Sequence, residues 1–304
     1  MLFHRDFHFY TGGHGKVWDY FRHALSLGWD ARVYLTPQSL RHADNPWMAM
    51  PERIEPEWRP QTADVLFLAG MDWRALRQRA PGADRPVVNL VQHVRHGDPG
   101  LPLREFLVRR AHRICVSHAV AAAITATGEV NGPVTVIPAS LDLQVFNLPP
   151  AEERETPVFV GALKNPPLGA AIQDALTERG LHAELACELM PRAAYLARLT
   201  RARLAILLPH AEEGFYLPAL EAMALGTPVL TLDAIGNRDY LRHGENAWVV
   251  APDAGVIAAA AAALLADSSL LERLAGAGRR SAAGHDPSRE SAAFATVLES
   301  MGKT

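Results

Sequence analysis

Two carboxylates, Glu213 and Glu221, lie seven residues apart in the stretch EEGFYLPALEAMALGTPVL, residues 212–230. The strand-like run RLAILLP precedes this stretch, and we expect a helix to open at Pro218, where a missing N–H has little consequence. The main-chain N–H groups of Gly214 to Leu217 then lack helical partners and can bind an anion or a hydroxyl group. Helical side chains lean towards the N-terminus, so Glu221 is expected to point back towards these groups. The pattern predicts a site for a ligand with phosphates and many hydroxyls, such as a nucleotide sugar.

Short apolar runs typical of buried strands alternate with helix-like segments over most of the chain. In the first half the runs are LFHRDFHFY, ARVYLTP, ADVLFLA, PVVNLVQHV, RICVS and VTVIP; in the second they are PVFVGA, HAELACEL, RLAILLP, PVLTLDA and AWVVAP. Such runs, separated by helices, predict parallel sheets covered on both faces. The predicted fold class is therefore α/β, with two doubly wound, Rossmann-like halves that face each other across a cleft. Ligands of these sheets bind at the carboxyl ends of the strands.

A Pro- and Glu-rich segment, NLPPAEERETP at residues 147–157, interrupts the alternation and predicts a linker. We therefore expect an N-terminal domain at residues 1–150 and a C-terminal domain, which contains the predicted nucleotide-sugar site, at residues 151–285. A last helix is predicted over residues 286–304, with Asp286 as its N-cap and Pro287 at its first position. This helix is a candidate to pack back on the N-terminal domain.

The composition is that of an ordinary globular protein, with 49% hydrophobic and 21% charged residues and a formal net charge of -3. This balance does not indicate a nucleic-acid partner. The segment REFLVRRAHR, residues 104–113, is predicted to be an amphipathic helix with a solvated basic face.

Other features bear on the compartment. Cys115 and Cys187 lie far apart in apolar runs and are predicted to be buried free thiols of a cytoplasmic protein. The first residues lack a signal pattern, and no apolar run approaches the ~20 residues that span a bilayer. The composition leaves peripheral membrane contact open.

Several motifs, in register along the chain, resemble those of retaining GT-B glycosyltransferases of family 4. Around Glu213 and Glu221 these are EGF, LP, LEAMA and GTPV; elsewhere they are AHRICVSHAVAAAI, VTVIPASLDLQVF and GNRDYLRHGENAWVVAPD. The resemblance implies a GT-B fold and transfer of a sugar from a nucleotide-diphosphate donor to an acceptor hydroxyl with retention of anomeric configuration. It implies no metal or other cofactor, and a role in bacterial glycan or glycoconjugate assembly. The implied partners are a nucleotide sugar and a glycan, lipid-linked or small-molecule acceptor.

The resemblance also implies roles for individual residues of the C-terminal half. Glu221 would accept hydrogen bonds from the ribose hydroxyls, and Glu213 would contact hydroxyls of the donor sugar as a catalytic residue. The loop and first helical turn after Glu213 would contact the sugar and the phosphates; its residues are Gly214, Phe215, Tyr216 and Leu217.

The resemblance implies that the N-terminal domain lies on the acceptor side, and in this domain it selects a glycine pair and a histidine. Gly12 and Gly13, within TGGHGK, would approach the diphosphate. His93, within LVQHV, would lie near the reacting carbon as a second catalytic residue. A hydrogen-bonded core histidine is the alternative for His93, which lies close to His96. His4, His8 and His14 have no carboxylate or Cys partner spaced for a closed metal site.

The chain departs from the family where members carry an Arg and a Lys after the first strand of the second domain. In PVFVGALKNPPLG, Ala162 takes the Arg position, and Pro167 or the neighbouring Leu168 takes the Lys position. Lys164, which follows Gly161, is the cation of this loop, and losing one preorganised donor to a leaving group can cost ~3 kcal/mol. Lys164 acts alone, or Arg238 or another basic residue substitutes, or the enzyme is slow or inactive.

Three interpretations follow. A glycosyltransferase is the first, with Gly161, Lys164, Asn237 and Arg238 added to the donor-binding residues. The second is a catalytically weak GT-B-like subunit that binds a nucleotide sugar or a glycan and supports a partner enzyme. The third is a GT-B-type sugar epimerase, which the motifs around Glu213 and Glu221 favour least.

Overall fold

The computed structural model describes residues 1–77, 81–143 and 154–302, which form two compact units. Unit 1 comprises Met1–Ala139 and Ser288–Thr304, and unit 2 comprises Ser140–Pro287. The boundary predicted between residues 150 and 151, and most of the predicted linker, lie outside the described residues.

Unit 1 contains a sheet in which all strand pairings are parallel. Among the described residues its strands are β1 (Leu2–Arg5), β2 (Arg32–Leu35), β3 (Ile54–Glu55), β4 (Leu66–Ala69), β5 (Val87–Val91), β6 (His112–Cys115) and β7 (Val134–Val136). Their spatial order is β3-β2-β1-β4-β5-β6-β7. The order reverses between β1 and β4, and sheets of this kind bind ligands at such a switch point.

Unit 2 contains a second parallel sheet. Its strands within the described part of the chain are β8 (Thr156–Gly161), β9 (Ala183–Ala186), β10 (Ala202–Leu207), β11 (Val229–Leu232) and β12 (Trp248–Val250). The spatial order is β12-β11-β10-β8-β9, so the switch point of this sheet lies between β8 and β10. The prediction of an α/β fold with two parallel sheets is confirmed.

Helices connect the strands. They are α1 (Gly12–Ser26), α2 (His118–Thr125), α3 (Pro166–Thr177), α4 (Arg192–Arg201), α5 (Leu217–Ala224), α6 (Ala254–Ala266), α7 (Ser268–Ala283) and α8 (Pro287–Met301). In unit 2, apolar side chains of α3, α6 and α7 cover one face of the sheet, while those of α4 and α5 cover the other. The central strands are therefore buried on both faces, which explains their continuous apolar sequence.

The first helix has a polar cap at its start and a glycine just beyond its end. The Thr11 hydroxyl caps α1 by accepting the N–H of His14 at 3.2 Å. Val17, Phe21 and Ala24 are buried on one face of the helix. After the helix, Gly28 adopts a φ of +82°, a left-handed conformation that suits glycine just beyond a helix end.

The last helix packs within unit 1 through a buried charge cluster. Glu290 of α8 lies 2.8 Å from Lys16 Nζ and 2.9 Å from His23 Nε2, both on α1. Lys16 and His23 hold the pKa of Glu290 down, to about 2, against the opposing effect of burial. Phe294 adds an edge-to-face contact with Tyr20 at 5.0 Å. Charged and aromatic contacts thus bring the chain's last helix onto its first.

Two sequence expectations are corrected. The segment at residues 104–113 is not an amphipathic helix, because only Arg104–Phe106 forms a short 3₁₀ turn and Arg113 belongs to β6. Arg113 is fully buried, and its guanidinium donates to five main-chain carbonyl groups instead of facing solvent. The short strand β3 was not predicted.

Two further features concern the thiols and the helices. Both cysteines are free thiols; Cys115 is buried, while Cys187 is half-buried. Among the described residues, no individual helix has the length and apolar character to cross a bilayer. The stretches Ala254–Ala266 and Ser268–Met301 meet those criteria only as a pair, with a 100° bend between them.

Candidate functional site

The switch point of the second sheet brings a cation and a carboxylate together. Gly161 ends β8, Lys164 follows it, and Glu213 lies in the loop after the neighbouring β10. Lys164 Nζ is 3.2 Å from Glu213 Oε1, with 43% of the lysine side chain exposed and 14% of the glutamate side chain. The two groups that the sequence predicts near the diphosphate and the sugar therefore meet at the carboxyl ends of adjacent strands.

The loop after Glu213 leads into α5. The helix begins at Leu217 with Tyr216 as its N-cap residue and Pro218 in its first turn, so the predicted start at Pro218 is one residue late. Within the described part of the chain, the hydrogen bonds leave the N–H groups of Gly214, Phe215, Tyr216 and Leu217 without an acceptor. These donors, at the positive end of an eight-residue helix, form a surface suited to phosphate or hydroxyl oxygens.

A second loop holds this one in place. The Gly236 N–H donates to the Glu213 carbonyl at 2.8 Å, and the Ile235 N–H donates to the Ala211 carbonyl at 2.9 Å. A Cβ atom on Gly236 would lie 2.2 Å from the Gly214 carbonyl oxygen. Glycine at position 236 is therefore a condition for the close approach of the two backbones.

Aromatic side chains also contact the loop after Glu213. The Tyr240 hydroxyl donates to the Tyr216 carbonyl at 2.6 Å and to Asn237 Oδ1 at 3.0 Å. Asn237 is buried, and its carboxamide oxygen is engaged by Tyr240. The Phe215 ring packs against Tyr240 at 5.1 Å and His285 at 5.5 Å. These contacts hold the segment that carries the amide groups of residues 214–217.

Glu221 has a partner that the sequence did not reveal. It is the fifth residue of α5, only 5% exposed, and its Oε1 lies 2.5 Å from Nη2 of Arg192 at the start of α4. Burial raises the pKa of Glu221, and the Arg192 guanidinium acts in the opposite direction. No spacing rule connects residues 192 and 221, so only the fold brings this ion pair together.

The remaining unit 2 candidates have different surroundings. Arg238 is exposed and forms an ion pair with Asp233, with contacts of 3.1 and 2.5 Å. Ala162, at the family's Arg position, is fully buried in the core. At the family's Lys position, Pro167 lies in the first turn of α3, and Leu168 packs against the same core.

The unit 1 candidates lie at the carboxyl edge of the first sheet. Gly12 and Gly13 form the first turn of α1, and the Gln92 side-chain amide donates to the Gly13 carbonyl at 3.2 Å. His93 is half-buried, and its Nδ1 accepts the Arg95 N–H at 3.1 Å. The glycine pair and the region of His93 are thus neighbours, and their roles stay predictions. Burial lowers the pKa of the nearby His96 to about 4.

A buried polar cluster spans the switch point of the first sheet and was also missed. Arg5, the last residue of β1, donates to Asp72 Oδ2 at 2.6 Å, and Asp72 follows β4. His4 Nδ1 is 3.1 Å from the same carboxylate, and His14 Nδ1 is 3.0 Å from Arg5 Nη2. Burial and the Arg5 charge lower the pKa of His14 to about 4. The described residues contain no group of three or more His, Cys, Asp and Glu side chains that could hold a metal ion.

Comparison with known structures identifies the fold. The sucrose-phosphate synthase from Thermosynechococcus elongatus superposes with a TM-score of 0.71 at 15% identity, covering 99% of this chain and 98% of that one. Anabaena HepE in complex with UDP-glucose gives a TM-score of 0.74 at 16% identity, covering 98% and 99%. A UDP-forming trehalose-phosphate synthase from Burkholderia vietnamiensis gives 0.58 at 13% identity, covering 81% and 76%. The shared fold is the GT-B fold of glycosyltransferases, which confirms the predicted fold class.

Sequence comparison adds a family assignment for part of the chain. Residues 180–281 match the family described as Glycosyl transferases group 1, and this segment contains Arg192, Glu213 and Glu221. A comparison with curated proteins gave no significant match. The predicted resemblance to glycosyltransferases is thus confirmed by this segment of unit 2, and the GT-B fold agrees with it.

Proposed function

We propose that this chain is a retaining glycosyltransferase that moves a sugar from a nucleotide-diphosphate donor to an acceptor hydroxyl. In the proposed reaction the bond between the anomeric carbon and the diphosphate oxygen breaks. The acceptor oxygen bonds to the same carbon on the same face, and its proton passes to the leaving diphosphate. The observation that carries the proposal is the convergence of Lys164, Glu213 and the amides of residues 214–217 at the β8–β10 switch point.

Each group has a proposed task. Lys164 and the amide groups of Gly214 to Leu217 stabilise the negative charge that develops on the leaving diphosphate, because preorganised donors act strongly where charge appears. Glu213 accepts hydrogen bonds from hydroxyls of the donor sugar, and Glu221 accepts hydrogen bonds from the ribose hydroxyls. The cations of the reaction are side chains, and no metal ion is part of the proposed mechanism.

The finer assignments rest on the neighbours and on composition. HepE has been seen with UDP-glucose and with UDP, so UDP-sugars are the first donors to test. The acceptor is proposed to be a glycan, a lipid-linked sugar or a small molecule used in bacterial glycan assembly. We place the reaction in the cytoplasm, where free thiols such as Cys115 and Cys187 are usual.

A panel of UDP-, GDP- and ADP-sugars tests this proposal. Calorimetry measures binding, and NMR follows slow hydrolysis, in which the first sugar released keeps the anomeric configuration of the donor. Binding and hydrolysis of one donor class support the proposal. Absence of binding to every donor contradicts it, and release of the inverted anomer contradicts retention.

A catalytically weak donor-binding subunit is the second candidate. Two observations favour it: Ala162 is buried at the position of the family's Arg, and the Arg238 guanidinium is engaged by Asp233. Tight donor binding without hydrolysis or transfer, followed by turnover when a partner protein is added, would select this candidate over the first.

A further inference from the structure

Arg192 is placed unfavourably with respect to the dipole of its own helix, α4. It is the first residue of α4, a ten-residue helix whose N-cap residue, Pro191, makes no side-chain capping hydrogen bond. A cation at a helix N-terminus lies at the positive end of the dipole, which is unfavourable. The helix therefore gives no reason for an arginine at this position, and its contact with Glu221 does.

Glu221 needs a positive partner to remain ionised. It is buried in α5, and moving a carboxylate out of water is costly unless another charge or hydrogen bonds compensate. Burial raises its pKa, and among the described residues the charge that lowers this pKa belongs to Arg192. The protonation state of Glu221 thus depends on a residue of a different helix.

Among the described residues, three phenols also interact electrostatically with Glu221. Tyr195 lies on α4, Tyr216 precedes α5 and Tyr240 follows the loop of Gly236; burial raises the pKa of all three. The packed helix α7 contributes Arg279, which lies against Gly226, beyond the far end of α5. Because a phenol is never a cation, none of the tyrosines can replace the positive charge of Arg192.

We propose that Arg192 is a positioning residue for donor binding, which holds Glu221 ionised and aimed so that its carboxylate accepts the two hydroxyls of the donor ribose. This inference rests on the proposed function, because it assumes that Glu221 binds the ribose. An ionised carboxylate only accepts hydrogen bonds and so matches a pair of hydroxyl donors, whereas a protonated one presents a competing donor.

Calorimetric titration of the whole chain between about pH 6 and pH 8 tests this inference. The wild type is titrated with UDP, GDP and ADP, and the variants with the nucleotide that it binds, UDP being the expected one. Four variants are compared with the wild type: Arg192→Ala, Arg192→Lys, Glu221→Gln, and the double variant Arg192→Ala with Glu221→Gln. Arg198→Ala is the matched control, since Arg198 lies on the same helix and pairs with Glu184 in a more exposed position.

The expected result is a change in both affinity and pH profile. Arg192→Ala weakens UDP binding by about tenfold or more at the lower pH and recovers part of the loss at the higher pH, as Glu221 ionises. Arg192→Lys restores the wild-type profile, and the double variant loses the additional pH dependence. Arg198→Ala behaves as the wild type, which separates the effect from general damage to α4.

Three outcomes distinguish failure of the Arg192 inference from failure of the proposed function. If wild-type protein binds UDP and Arg192→Ala has the same affinity and profile, this inference alone is wrong. A loss of affinity without a change of profile would also overturn it, because a purely structural role would produce that result. If the wild type binds none of UDP, GDP and ADP, the proposed function fails and this inference fails with it.

Discussion

Lys164 Nζ lies 3.2 Å from Glu213 Oε1, and this contact joins the loops that follow two adjacent strands, β8 and β10. The pair sits at the switch point of the sheet, where α/β sheets of this order bind their ligands. The lysine is the more exposed partner, so it can turn towards a diphosphate without opening the core. This relationship makes Lys164 the residue to test as the cation that stabilises the leaving diphosphate in the proposed reaction.

We therefore expect Lys164→Ala to lower kcat far more than donor affinity. Removal of one preorganised donor to a developing charge costs ~3 kcal/mol, which corresponds to a rate loss of about a hundredfold. Single-turnover hydrolysis of the bound nucleotide sugar measures the chemical step. Arg179→Ala is the control, because Arg179 is exposed and its guanidinium donates to a carbonyl within α3. Equal rates in Lys164→Ala and the wild type would remove this residue from the reaction.

Gly236→Ala should displace the loop that carries Glu213 and Gly214. The new Cβ atom would lie 2.2 Å from the Gly214 carbonyl oxygen and 2.5 Å from that of Glu213, so the two loops must separate. We expect lower donor affinity together with a lower melting temperature. Gly276→Ala in α7 is the control. A Cβ atom at position 276 would lie 3.6 Å from Nη1 of Arg280, an ordinary contact, and alanine is more favourable than glycine within a helix by about 0.5–1 kcal/mol. Unchanged donor binding in Gly236→Ala would show that the two loops tolerate separation.

The charge cluster between α1 and α8 predicts a dependence of stability on pH in unit 1. The pKa of Glu290 is lowered to about 2 from a reference of 4.5. The stability contributed by its ionised form is therefore fully present above pH 4.5 and is lost as the pH falls from there through about 2. Chemical denaturation over that range should show this fall in the free energy of unfolding. A wild type equally stable at both ends of the range would contradict the assignment.

Glu290→Gln tests the same cluster at neutral pH. The substitution removes one of the two carboxylates that contact the buried Lys16, and Asp19 remains 2.9 Å from Lys16 Nζ. Breaking a buried pair completely destabilises by about 3–5 kcal/mol, so we expect a loss of free energy of unfolding below the upper end of that range. Glu299→Gln, at an exposed position of the same helix, should change the free energy of unfolding little. Similar denaturation midpoints for the two variants would show that the cluster does not stabilise the packing of α8.

Much of the fold could be predicted because its strands are continuous apolar runs. Buried parallel strands leave this mark in the sequence, and each predicted run contains one strand of the structure. The strand Ile54–Glu55 left none, because it is two residues long and half-buried. The basic segment that runs into β6 misled the prediction, because the two terminal nitrogens of Arg113 donate to carbonyl groups and the residue is buried, whereas sequence patterns treat arginine as a surface residue.

The candidate site, like the fold, could be predicted only in part. Glu213 and Glu221 could be selected because both lie in one motif around a helix start. Arg192 could not, because its contact with Glu221 depends on the packing of two helices and on no local spacing. Arg5 and Asp72 were missed for the same reason: Arg5 ends β1, Asp72 follows β4, and the two meet only through the pairing of these strands.

A crystal structure of the chain with a bound UDP-sugar tests the central claim most directly. The account predicts the ribose hydroxyls on the Glu221 carboxylate, the diphosphate against the amides of residues 214–217 with Lys164 turned towards it, and the sugar hydroxyls on Glu213. A nucleotide bound elsewhere, with the Arg192–Glu221 and Lys164–Glu213 pairs unengaged by it, would contradict the account.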